Sequence, residues 1–152
     1  MILYLDASAL VKRYIAENDS ERVNAWIGIA DVVLTGLITR VEVAAAIVRA
    51  QRMKIISPEA ASAALRVFRS EWENFHRLPI TENTVVRGDF LSCEHNLRGY
   101  DATHLACALI WQETLGQPVT LATFDHQLFQ AAEEVKMDVL PRFNSQLLLS
   151  PA

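Results

Sequence analysis

Short apolar runs, each too brief for a helix, are separated along this chain by longer stretches of helical periodicity. Ile2-Leu3-Tyr4-Leu5, residues 31–35, Val119-Thr120-Leu121-Ala122-Thr123 and Met137-Asp138-Val139-Leu140 are such runs, and Leu78-Pro79-Ile80 reads as a short strand or an extended connection. The runs are nearly continuous in apolar residues rather than alternating, which is the pattern of strands covered on both faces. No two-residue turn joins one run to the next, so hairpins are excluded. Strands that alternate with helices in this way predict an α/β fold: a central parallel sheet with helices on both faces, in three layers.

The helical stretches carry their own signals. Periodicity predicts helices over 7–16, 20–29, 37–53, 81–97, 100–113 and 125–136, with Ser20 and Thr81 as caps. Ser57-Pro58-Glu59 opens another, with a capping hydroxyl, proline at the first position and an acid in the first turn. Its stripe of Ala61, Ala64, Leu65, Phe68, Trp72 and Phe75 reads as core. No repeat or interdomain linker interrupts the pattern. The 152 residues therefore read as a single domain, 1–152, with a tail from about residue 145.

In open parallel sheets, sites form at the carboxyl ends of strands. Acids stand at such places here. Asp6 directly follows the first strand, Asp125 follows the 119–123 strand by one intervening residue, and Glu42 lies in the helix after the second strand. Each has a plain structural reading: Asp6 and Asp125 as helix caps, Asp101 as a first-turn acid, Glu42 in a salt bridge with Arg40 or Arg49. Glu42 resists that reading most, because its same-face neighbours Ile38, Ala45 and Ala46 are all apolar. Gathered together, these carboxylates form a cluster with nothing positive to neutralise it, which is costly without a cation. Oxygen-only ligands suit Mg²⁺ or Mn²⁺, ions that polarise a phosphoryl oxygen and lower the pKa of a bound water.

Four segments carry these acids: Leu5-Asp6-Ala7-Ser8-Ala9-Leu10-Val11-Lys12, Val41-Glu42-Val43, Tyr100-Asp101-Ala102-Thr103-His104-Leu105-Ala106 and Thr123-Phe124-Asp125. In sequence and order they resemble the motifs of PIN-domain ribonucleases and, more narrowly, the VapC-type toxins of bacterial toxin–antitoxin pairs. The resemblance runs from Met1 to about Val139. It implies a three-layer α/β/α PIN-like fold and a Mg²⁺- or Mn²⁺-dependent endoribonuclease that cleaves RNA with a metal-activated water. It also implies a homodimer held inactive by a cognate antitoxin, often through a basic side chain inserted into the acidic site. Carried over by position, Asp6, Glu42, Asp101 and Asp125 form that site. Asp101 joins the other three mainly through this resemblance. Asp6 and Asp101 are the expected direct ligands, while Glu42 and Asp125 bind metal, hold waters or orient the attacking water. The Ser8 and Thr123 hydroxyls either hydrogen-bond a carboxylate or metal-bound water, or serve as a helix cap and a strand-end hydroxyl.

Other chemistries fit less well. His76, His95, His104 and His126 lack paired zinc-ligand spacing and are expected at the surface or behind the acids. The five glycines are scattered, so no phosphate loop is present. A phosphatase with Asp6 as nucleophile would want a second acid at the position that Ser8 occupies. A housekeeping RNA-processing nuclease of the same fold and a non-catalytic binding module are the remaining alternatives. A net charge of −4 argues against coating nucleic acid by bulk charge, yet Lys12, Arg13, Arg40, Arg49, Arg52 and Lys54 flank the proposed site. Cys93 and Cys107 are expected to be buried thiols in a reduced, cytoplasmic protein, and neither a signal peptide nor a membrane-spanning run is evident.

Overall fold

The computed structural model describes residues 1–142, and the expected tail lies outside the described residues. The first strand, β1 (Ile2–Leu5), leads into a short helix α1 (Ala7–Leu10) that tightens into a 3-10 turn at Val11–Arg13. Then come α2 (Ser20–Ile29), β2 (Val32–Gly36), α3 (Thr39–Arg52), α4 (Pro58–Glu71), β3 (His76–Leu78) and α5 (Glu82–His95). The chain continues through α6 (Gly99–Leu115), β4 (Val119–Ala122), α7 (His126–Glu134) and β5 (Asp138–Leu140).

The five strands form one parallel sheet in the order β3-β2-β1-β4-β5. From β1 the chain steps outward to β2 and β3, then returns to β4 on the other side of β1. The direction of winding therefore reverses between β1 and β4, and a crevice opens at their carboxyl ends.

Side-chain alternation along β1 makes the three layers. Leu3 and Leu5 pack with Val43 and Ile47 of α3 and with Ala61, Ala64 and Phe68 of α4. Tyr4 points to the opposite face, where Leu91 of α5, Leu105 and Leu109 of α6 and Leu128 of α7 meet Leu121 of β4. All three β1 residues are fully buried, so the apolar run reads as it does because both faces are covered. Trp72 and Phe75 complete the aromatic end of the α4 stripe, with Trp72 edge-to-face with both Phe68 and Phe75.

Local departures from the expected elements have identifiable causes. The helix expected over 7–16 is split, and the 3-10 turn swings Arg13 and Tyr14 onto Glu71 of α4. The helix expected from residue 37 starts at Thr39, because the Leu37 amide donates to Leu78 and extends the β2–β3 ladder. Ser57 caps α4 as expected, and Thr81 and Thr84 form a capping box on α5. Ser20 does not cap α2. Asp19 takes the cap position with φ 68°, and the Ser20 hydroxyl instead donates to the Ile15 carbonyl. Cys107 is buried, but Cys93 is exposed, since the buried stripe of α5 runs through Thr84, Gly88 and Leu91.

Candidate active site

The reversal between β1 and β4 brings Asp6 and Thr123 together. Asp6 ends β1 and caps α1, accepting from the Ala9 amide at 2.9 Å. Thr123, just beyond β4, donates its hydroxyl to Asp6 Oδ2 at 2.7 Å and accepts from the Asp125 amide at 3.1 Å. Ser8 donates to both Asp6 oxygens, at 2.8 and 2.9 Å, and its oxygen accepts from the Phe124 amide. Both hydroxyls therefore lock the two strand ends around one carboxylate. Asp6 is only 3% exposed, and all of its hydrogen bonds from the described residues come from neutral donors. Burial accordingly pushes its pKa up, against the pull of His104 and of those hydrogen bonds.

The other three acids reach the same crevice from different elements. Asp101 sits in the first turn of α6, and Asp125 caps α7 by accepting from the Leu128 amide. Arg98, just before α6, holds both: Nε donates to Asp101 at 2.8 Å and Nη2 to Asp125 at 2.6 Å. Burial still outweighs this pull at Asp101, whose pKa is raised. Glu42 enters from the first turn of α3 and meets His104 Nε2 at 2.6 Å. Neither Arg40 nor Arg49 forms the expected salt bridge with it, and Arg40 lies over the Trp72 ring instead.

All four acids and Ser8 line one cavity of about 610 Å³, with Arg49, Arg52, Arg98, Tyr100 and His104 among its other walls. The structure thus gathers all four, Asp101 included. Three of the plain readings hold at the same time: Asp6 and Asp125 are caps, and Asp101 is a first-turn acid.

One expectation is overturned. The cluster is not without positive charge, because Arg98 bridges Asp101 and Asp125, and Glu42 is not left alone, because His104 Nε2 lies within hydrogen-bond distance of it. Arg98 stands three residues before Asp101 and His104 three after it. That spacing was the only signal in the sequence, since the partners Asp125 and Glu42 are remote in the chain. Of the six flanking cations, Arg49 and Arg52 line the cavity, whereas Lys12 bonds Glu17 and Arg13 bonds Glu71. His104 is buried behind the acids, and His126 is exposed at the start of α7.

The donor set fits a hard divalent cation. Its donors are carboxylate oxygens, and Asp6 is a desolvated carboxylate with no ion-pair partner among the described residues. Among the described residues no three Asp, Glu, His or Cys side chains are disposed to enclose an ion by themselves. Mg²⁺ does not require such a cage: one or two carboxylates, waters and substrate phosphate commonly suffice.

The reversed parallel sheet with an acidic crevice is the architecture of a known class. Residues 3–134 match the model of the PIN domain, and the chain belongs to that family. Ribonuclease VapC49 of Mycobacterium tuberculosis (strain ATCC 25618 / H37Rv) is 31% identical over 142 residues, which cover 92% of this chain and 95% of the relative. Among solved structures, FitAcB from Neisseria gonorrhoeae superposes with a TM-score of 0.66 at 20% identity, over 91% of this chain and 96% of that one. A toxin–antitoxin complex from Klebsiella pneumoniae gives a TM-score of 0.61 at 20% identity, over 85% and 90%. At these identities the two structures speak for the fold alone.

Proposed function

We propose that this chain is a divalent-metal-dependent endoribonuclease and the toxin of a toxin–antitoxin pair, working as a single domain. Kinship with ribonucleases of the VapC name supports the nuclease activity. The observation that carries the metal reading is Asp6: a buried carboxylate, bonded among the described residues only by neutral donors, beside three more acids. Asp6 and Asp101 are the residues assigned to hold Mg²⁺ or Mn²⁺, with Ser8 and Thr123 fixing Asp6. Such an ion supplies charge at the scissile phosphate and eases deprotonation of water. Glu42 and Asp125 orient water or share the ion. Arg49 and Arg52, on the cavity wall, offer forked donors to the RNA backbone.

The Arg98 bridge supports an antitoxin partner, because it demonstrates that a guanidinium fits between Asp101 and Asp125. A basic side chain from a partner would compete for the same carboxylates. Homodimerisation is supported by Val86 and Phe90, one turn apart and exposed on α5. No helix among the described residues is long and apolar enough to cross a membrane, and we assign the protein to the cytoplasm.

Cleavage-site mapping on total cellular RNA tests the activity. Discrete Mn²⁺-dependent cuts that vanish with chelator are expected, whereas intact RNA would refute it. Growth arrest on expression, relieved by Asp6→Asn and by the cognate antitoxin, tests the toxin role.

A further inference from the structure

A line of buried polar groups runs behind the acids. Tyr4 is fully buried on β1, two residues before Asp6, and its hydroxyl lies 2.9 Å from His104 Nδ1. His104, 2% exposed and one turn after Asp101 on α6, places Nε2 2.6 Å from Glu42 Oε2. The chain thus joins β1, α6 and α3, the elements that end at or carry Asp6, Asp101 and Glu42. Both ring nitrogens are engaged and the ring stands edge-on to Tyr4, with centroids 6.0 Å apart. The imidazole is therefore fixed in position and rotation.

Gly36, at the end of β2, makes room for this line. A Cβ there would lie 3.0 Å from the Tyr4 hydroxyl and 3.3 Å from Cys107 Sγ. Among the described residues Glu42 has no other anchor: Ile38, Ala45 and Ala46 beside it on the helix are apolar, the Thr39 hydroxyl is taken up by Thr35, and Oε1 accepts no hydrogen bond. A histidine that merely satisfied itself in the core would not need a carboxylate from the wall of the cavity.

We infer that Tyr4 and His104 are positioning residues that tie down Oε2 of Glu42 and leave Oε1 as its working oxygen. This rests on the nuclease reading of the cavity. Glu42 then serves the reaction through a single oriented oxygen, as the acceptor for a water or as a one-oxygen ligand. Partners of this kind behind a site residue typically contribute 10–100-fold to activity.

Three variants, His104→Leu, His104→Gln and Tyr4→Phe, test this by steady-state cleavage of an RNA carrying the mapped site, with thermal unfolding run alongside. His104→Leu is expected to lower kcat about 10–100-fold with KM nearly unchanged. His104→Gln, which keeps a donor for Glu42, should recover most of that loss. Tyr4→Phe should lie between wild type and His104→Leu. Folded Leu and Gln variants that are equally impaired, or a folded Leu variant with wild-type kcat, would overturn the inference. A second readout is independent of turnover. In the ¹⁵N spectrum of the metal-free protein, Glu42→Gln should shift the His104 Nε2 resonance, and an unmoved resonance would overturn it. If wild type cleaves no RNA, the nuclease reading fails, while the nitrogen shift still decides whether His104 holds Glu42.

Discussion

Two of the places where arginine meets carboxylate in this molecule have opposite electrostatic outcomes. On the outer layer, Arg13 grips Glu71 through Nε at 2.7 Å and Nη2 at 2.9 Å, and Tyr14 adds its hydroxyl at 2.8 Å. The guanidinium hydrogen bonds outweigh burial there, and the Glu71 pKa is lowered. At the crevice, Arg98 is divided between Asp101 and Asp125, and its side chain is 70% exposed. Burial wins there, and the pKa values of Asp101 and Asp6 are raised. The first site is a fully paired brace between the turn after α1 and the end of α4. The second is a carboxylate group in which burial outweighs its one arginine, which is the imbalance a bound cation would relieve.

The contrast breaks most sharply on substitution. Asp6→Asn keeps a capping side chain on α1 but removes the charge, and should reduce RNA cleavage on the order of 10³-fold with little loss of stability. Glu71→Gln should do the reverse. Cleavage stays at the wild-type level while denaturant unfolding reports a loss of about 1 kcal/mol, modest because the brace is partly exposed. A fall in cleavage by Glu71→Gln in the folded protein would erase the distinction between the two sites.

A smaller effect concerns Arg98. Its guanidinium occupies carboxylates that a divalent ion would use, so Arg98→Gln should tighten Mn²⁺ binding several-fold in a calorimetric titration. The gain is limited because the exposed Arg98 end of the bridge is screened by solvent. Weaker binding in that variant would mean that Arg98 supports the ion rather than competing with it.

The smallest is the pH dependence of the brace. The folded-state pKa of Glu71 lies below its ordinary value of 4.5. Its contribution is therefore present above that value and is lost as pH falls through the lower, folded one. Denaturation of wild type and Glu71→Gln at pH 6 should differ, and the two curves should converge on acidification below about 4.5. A gap that widened on acidification would contradict the sign.

The layers and the acids of the crevice were legible in the sequence, whereas the two arginine–carboxylate arrangements were not. The buried runs gave the parallel layers because covered strands admit little but apolar residues. Asp6 and Asp125 were placed by strand ends, and Glu42 stood out against its apolar helix face. Asp101 needed family resemblance, because one-dimensional spacing does not say that α6 starts beside β1. Arg98 and His104 were missed as partners for a related reason. An i±3 position on a helix gives a face, but not which of the facing elements a long side chain or a ring will reach. The exposed Cys93 failed in the same way, since the apolar pattern of α5 does not separate its buried stripe from its apolar surface.

A metal-dependent nuclease site in this crevice would be organised around Asp6. The direct test is cleavage of total cellular RNA by wild type and Asp6→Asn, each with Mn²⁺ and with excess chelator. Discrete cuts are expected from wild type with Mn²⁺ and none in the other three reactions. Cuts by Asp6→Asn, or by wild type in chelator, at the wild-type Mn²⁺ rate would contradict that site.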